Sequence, residues 1–162
     1  MKIPIVDKDD HIIVYKEREE VDYSSDIFRT ASLWITNNRG DILLAQRKFD
    51  KKVDPGKWAE AVGGTVEGED SYVDTVLREA EEELGLSGVI VKEGPKQFIT
   101  SPCDYFVQWY SATVDLPIEA FTIQREEVEQ IAWIPRSQLL EELRHNPEKY
   151  IQVMPEILAL FP

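Results

Sequence analysis

The stretch Gly63–Leu86, GGTVEGEDSYVDTVLREAEEELGL, reads as a loop followed by one helix around which the rest of the chain is arranged. At about 100° per residue, Val73, Val76, Leu77, Ala80 and Leu84 fall on one narrow stripe, the pattern of a helix packed on a core. Ser71, with Asp74 three residues on, supplies a capping box at the start. Gly85 stands where a left-handed residue ends a helix, and Leu86 follows as its apolar lock.

The opposite face is anomalous. Glu79, Glu82 and Glu83 crowd within about a 100° arc on the side away from the stripe. Like charges at i+3 and i+4 repel, and the last helical turn disfavours anions. Two readings compete: a solvated acidic face, or a site in which a hard divalent cation relieves the repulsion. Mg²⁺ suits the second, because it takes oxygen ligands and leaves positions for water and substrate phosphate.

The spacing separates them. Gly64 is followed by five residues, then Asp70, then seven residues, then Arg78-Glu79, Ala80, Glu81, Glu82-Glu83, Leu84, Gly85 and Leu86. This resembles the signature of the Nudix hydrolase superfamily. Gly64, Arg78, Glu79, Glu82, Glu83, Gly85 and Leu86 match it outright; Asp70 stands where the family usually has Glu, and Ala80 where it has a larger aliphatic residue. The resemblance implies an α/β/α sandwich with a mixed central β-sheet. It implies a Mg²⁺-dependent hydrolase, with Mn²⁺ able to substitute, that cleaves a phosphoanhydride bond in a nucleoside diphosphate linked to another group. Glu79, Glu82 and Glu83 would be the metal ligands, with the carbonyl of Gly64 a further one. Arg78 would orient the glutamates by charge-assisted hydrogen bonds. The proton would be taken by Glu82 or Glu83, or by a glutamate of a later loop, for which Glu126 and Glu127 are the candidates; a merely solvated acidic loop is the alternative there. Asp70 is one methylene shorter than Glu, which leaves open whether it belongs to the site or helps to cap the helix. A homodimer is also implied.

Two further readings stay in view. The N-terminal strands and the segment DPGKWAEAVGG are similar to the isopentenyl-diphosphate isomerase branch of the superfamily. That branch uses a Cys and several His; here Gly63, Thr65 and Phe28 occupy those positions, and the only histidines are His11 and His145. A non-catalytic nucleotide sensor on the same fold is the other, although such proteins tend to have damaged boxes.

The 162 residues suit one domain with a real core, and 43% hydrophobic content argues against a disordered chain. The expected organisation is one domain over 1–162: short N-terminal strands in 1–24, the box in 64–86 and helices in 136–161. No apolar run reaches the ~18 residues of a membrane span, so no membrane partner is expected. MKIPIVDKDD has no secretory pattern, and the single Cys103 fits a reducing cytosol; a cytoplasmic location is expected. A net charge of −13 argues against nucleic acid as a partner, since backbone binding needs a basic patch.

In order, Ile3–Val6 and Ile12–Tyr15 read as a hairpin, and Ile27–Thr36 with Asp41–Gln46 as another around Asn37–Gly40. Arg47 and Lys48 end that strand, placed to meet substrate phosphates or simply to be solvated. Trp58 leads a short strand into Gly63-Gly64, which lets backbone approach a ligand closely or marks a bulge. Strands are expected at Val89–Val91, Gln97–Thr100, Tyr105–Val114 and Ile131–Ile134. The aromatics Tyr105, Phe106, Trp109 and Tyr110 are core residues or stacking platforms. Ser137–Arg144 makes a helix, and Asn146-Pro147 starts another that Pro155 kinks or restarts.

Overall fold

A computed structural model describes all of residues 1–162. Strands β1 (Lys2–Val6) and β2 (Ile12–Glu17) form a separate two-stranded hairpin. The main sheet contains β3 (Phe28–Thr36), β4 (Ile42–Arg47), β5 (Trp58–Glu60), β6 (Val62–Thr65), β7 (Lys92–Ile99), β8 (Tyr105–Thr113) and β9 (Val128–Ile134). Helix α1 (Tyr72–Leu84) covers one face; α2 (Arg136–His145) and α3 (Met154–Leu160) cover the other.

Period-two alternation along β3 supplies both cores. Ala31, Leu33 and Ile35 face Val76, Ala80 and Leu84 of α1, all of them fully buried. Trp34 faces the other way, toward Leu139, Met154, Ile157 and Leu158. Each fully buried Leu or Ile on these faces contributes on the order of 2 kcal/mol. Phe106, Trp109 and Tyr110 of β8 are buried, so they serve the core rather than an open stacking platform. β8 runs parallel to β3 over its whole length, while β6, β7 and β9 pair antiparallel with their neighbours, which makes the sheet mixed.

The hairpin of β3 and β4 is real only at its mouth. The two strands meet at Thr36 and Ile42 and then diverge. The run from Trp58 to Thr65 fills the opening: β5 pairs with β4, and β6 pairs with β3. Gly63 and Gly64 are therefore strand residues opposite Ser32 and Ala31, not part of a loop. The segment Val89–Val91 is not a strand. Val89 and Val91 pack on the α1 core from irregular backbone while Ile90 stands 89% exposed. The strand begins instead at Lys92 and carries Pro95 at a register shift, which an edge strand tolerates. β9 begins earlier than expected, at Val128. Pro147 opens a single 3-10 turn, and Pro155 lies in the first turn of a separate helix, α3.

Candidate active site

Helix α1 begins and ends as its sequence dictates. The Ser71 hydroxyl accepts from the Asp74 N–H at 3.1 Å, and the Asp74 carboxylate accepts from the Ser71 N–H at 3.0 Å. At the far end Gly85 adopts φ 69°, its N–H donating to the carbonyls of Ala80 and Glu81, and Leu86 N–H donates to Ala80. The carbonyls of Glu83 and Leu84 accept from Gln124 and Thr122. That pair of bonds roots the loop before β9 on the end of the helix.

The three glutamates are not a uniformly solvated face. Glu82 is half exposed, but the Glu79 side chain is only 15% exposed, and Glu83 is turned under the helix toward β6. The glycines make this possible. A Cβ on Gly64 would stand 2.4 Å from the Glu79 carboxyl carbon, so only glycine leaves room for that side chain. Gly63 N–H donates to Glu83 Oε2 at 3.3 Å. The backbone does approach closely here, and what it approaches is the helix's own acids.

Arg78 bridges the group. Its Nη1 donates to Glu79 Oε1 at 2.9 Å and lies 3.6 Å from Glu82 Oε2, while its Nε donates to Asp70 Oδ2 at 3.2 Å. Asp70 thus holds the far side of the arginine, and capping is done by Ser71 and Asp74 without it. Burial opposes the Arg78 charge, but Glu79, Asp70 and Glu82 outweigh it and hold the guanidinium protonated.

Burial dominates the electrostatics of the acids. It lifts the Glu79 carboxyl above its usual range, with Glu82 and Glu67 adding to the effect. The Glu83 carboxyl is pushed up to about 9, first by burial and then by the charges of Glu79, Glu60 and Glu127. No lysine or arginine pairs with Glu83, so as it stands the group keeps a proton at neutral pH.

The remaining expected residues lie around the rim. Glu127 pairs with Lys51 and bears on Glu83 through its charge. Glu126 is exposed beside it. Lys48 Nζ is 3.2 Å from Glu129 Oε2, and Arg47 Nε donates to the Val53 carbonyl at 2.9 Å. Both cations of that strand end already have protein partners. His11 and His145 are exposed, pairing with Asp7 and Glu141, so neither joins the acidic cluster. A cavity of about 270 Å³ lies between β4, β9 and α2, lined by Trp58, Trp133 and Tyr150 among others, away from the glutamates of α1.

One residue at the site was missed in the sequence: Glu60. Its carboxyl group is fully buried, Oε1 is 3.5 Å from Ser32 Oγ, and Oε2 has no hydrogen-bond partner. Arg78 Nη2 is the other buried polar side-chain atom without a partner. The donor set fits a hard divalent cation: several carboxyl groups, those of Glu79 and Glu83 raised above their usual range by burial, and one orphaned oxygen alongside.

A family profile described as NUDIX domain matches residues 26–156. An uncharacterised Nudix hydrolase of Pseudomonas aeruginosa, PA4841, is 31% identical over 143 residues, covering 88% of this chain and 83% of its own. The uncharacterised Nudix hydrolase YfcD of Escherichia coli K12 is 27% identical over 133 residues, covering 82% and 72%. Among solved structures, DR0079 of Deinococcus radiodurans superposes with a TM-score of 0.83 at 16% identity over 100% of both chains. The NUDIX domain of Shewanella oneidensis NrtR, complexed with ADP ribose, gives 0.60 at 19% identity over 78% of this chain and 82% of its own. At such identities the two superpositions speak for the fold.

Proposed function

The chain belongs to the Nudix hydrolase family, and from that premise we propose that it hydrolyses the phosphoanhydride bond of a nucleoside diphosphate linked to another group, with Mg²⁺ or Mn²⁺ as cofactor. The observation that carries this is the inward turn of Glu79 and Glu83 against two glycines, with Arg78 and Asp70 holding the assembly. Glu79 has Arg78 as its counter-charge, but Glu83 is buried with no lysine or arginine paired to it, and such a burial costs several kcal/mol unless something completes it. The ADP ribose held by the NrtR domain is itself a nucleoside diphosphate joined to a sugar, which supports the substrate class.

Glu79, Glu82 and Glu83, with the Gly64 carbonyl, would hold the cation. When bound, it would offset phosphate charge and lower the pKa of water. The chain's own groups do the rest. Arg78 fixes Glu79 and Glu82 in place from one guanidinium edge. Glu83, which has no basic partner, would meet the cation as a carboxylate. A carboxylate oxygen of Glu82 or Glu83 then accepts the proton lost from the attacking water. Glu127, tethered by Lys51 above Glu83, is the rival for that step. Lys48 and Arg47 meet substrate phosphates by giving up Glu129 and the Val53 carbonyl.

Neither isomerase chemistry nor a silent sensor gains a supporting observation. The test is a panel of nucleotide sugars, dinucleoside polyphosphates, and nucleoside diphosphates and triphosphates, read by phosphate or mononucleotide release. Turnover of at least one class in Mg²⁺ and none in EDTA is expected. No turnover with Mg²⁺ or Mn²⁺, or undiminished turnover in EDTA, would overturn the proposal.

A further inference from the structure

Glu60 ends β5 opposite Leu44, where the chain passes from pairing with β4 to pairing with β3. Few carboxyl groups are so placed. Glu60 is partly buried along its chain with Oε2 shut off from solvent; it forms no ion pair, and its carboxyl has only its own backbone N–H and a long contact with Ser32 Oγ, 3.5 Å from Oε1, with the charge of Arg47 farther off. Oε2 touches neither a donor nor solvent. Burying a carboxyl in this way is costly unless something outside the protein completes it.

Gly63 shows where the completion lies. A Cβ on this residue would stand 3.4 Å from Glu60 Oε1 and 3.1 Å from Ser32 Oγ, while its N–H donates to Glu83 Oε2 at 3.3 Å. The two most deeply buried carboxyl groups of the site thus converge on one residue that has no side chain. Glu60 reaches it from the strand side and Glu83 from the helix side.

We propose that Glu60 is a fourth carboxylate donor for the divalent cation of this site, closing it from the sheet together with Glu83. The inference rests on the metal-site reading above and adds a residue that lies outside the Gly64–Leu86 signature. It accounts for three facts at once: the orphaned Oε2, the missing side chain at Gly63, and a buried acid beside Glu83 with no ion-pair partner of its own. A hard cation at that meeting point would take oxygen from both carboxylates.

The test uses Mn²⁺ as probe, titrated into the full chain and followed by calorimetry and by its paramagnetic resonance signal. Wild type, Glu60→Gln and Glu82→Gln are compared, with melting in EDTA recorded for each. Glu60→Gln is expected to weaken Mn²⁺ binding by about tenfold or more. Its melting temperature in EDTA should match or exceed that of wild type, because a neutral isostere replaces a buried acid. Wild-type affinity in Glu60→Gln with weakened binding in Glu82→Gln would overturn the role of Glu60 and leave the metal site standing. A lowered melting point in EDTA with wild-type affinity would mark Glu60 as structural only. No Mn²⁺ binding by wild type would remove both readings. Should Glu60→Gln fail to fold, Glu60→Asp keeps the charge but withdraws it by a methylene. Weakened binding there supports the proposal, and wild-type affinity overturns it.

Discussion

Two residues make the site geometrically possible, and both are testable by a single methyl group or a single oxygen. Gly64→Ala would drive a Cβ to 2.4 Å from the Glu79 carboxyl carbon. Either the carboxyl group moves or β6 does, at about 1–3 kcal/mol for the overpacking. The expected outcome is a lowered melting temperature and at least a tenfold loss of Mg²⁺-dependent turnover; a fully active variant would show that Glu79 is not held where the chemistry needs it. Glu82→Gln separates chemistry from folding, because Glu82 is half exposed and its loss leaves no buried hole. Turnover should vanish while circular dichroism and the melting point in EDTA stay at wild-type values. Unchanged turnover would rule out Glu82 as a ligand. The same residue scale shows what a sequence can hide. Glu79, Glu82, Glu83 and Arg78 are legible because their spacing on one helix is a local property. Glu60 is not, because its burial depends on β3 and β4 splaying apart so that β5 can enter between them.

At the scale of elements, local signals held wherever the element was locally determined. The cap, stripe and terminator of α1 all stand as read, and Ser71→Ala should cost about 1 kcal/mol through the lost cap. A drop in denaturant midpoint without a change of slope would be its signature. Elements defined by their partners were harder. β7 is legible only at its far end, where Gln97–Thr100 reads as a strand; its first half, Lys92–Lys96, is charged, contains Pro95 and lies at the sheet edge. Gly63-Gly64 looks like a loop until β3 is placed beside it. The N-terminal hairpin is legible as a hairpin, but its attachment is not. Asp10, in the β1–β2 turn at φ 64°, accepts from Arg29 Nε at 2.7 Å, Tyr72 Oη at 2.9 Å and Lys96 Nζ at 2.7 Å. One carboxylate therefore ties the hairpin to β3, α1 and β7. Burial opposes its charge, but the bonds from Lys96, Arg29 and Tyr72 hold the carboxyl below its usual range. Asp10→Asn, which tolerates the same backbone, should cost about 2 kcal/mol. It should also speed proteolysis within the first 17 residues; an unaltered digestion pattern would mean that the hairpin is held by its packing instead.

The whole molecule carries a net charge of −13 and still places its most deeply buried acids side by side. That conflict should be visible as a dependence of stability on pH. Carboxyls with lowered values, Asp7, Asp10, Asp22 and Asp74, stabilise the fold above their ordinary 3.8, and that contribution is lost only as pH falls through their lower folded values. Glu60, Glu79 and Glu83 have raised values, so the sign is opposite. Their favourable term is complete below the ordinary 4.5 and disappears as pH rises, for Glu83 until about 9. Between pH 5 and 8 Glu83 titrates differently in the folded and unfolded chains, at most about 1.4 kcal/mol per unit. In EDTA the melting temperature should therefore fall from pH 5 to pH 8, and Glu83→Gln should flatten the slope. The variant also separates this effect from general charge repulsion, which it barely alters. Mg²⁺ replaces the protons, so the stabilisation it confers should be small at pH 5 and larger at pH 8. A melting temperature that is flat or rising with pH in EDTA, with no greater response to Mg²⁺ at the higher pH, would mean that these acids are already satisfied within the protein. The cation would then have no thermodynamic reason to enter.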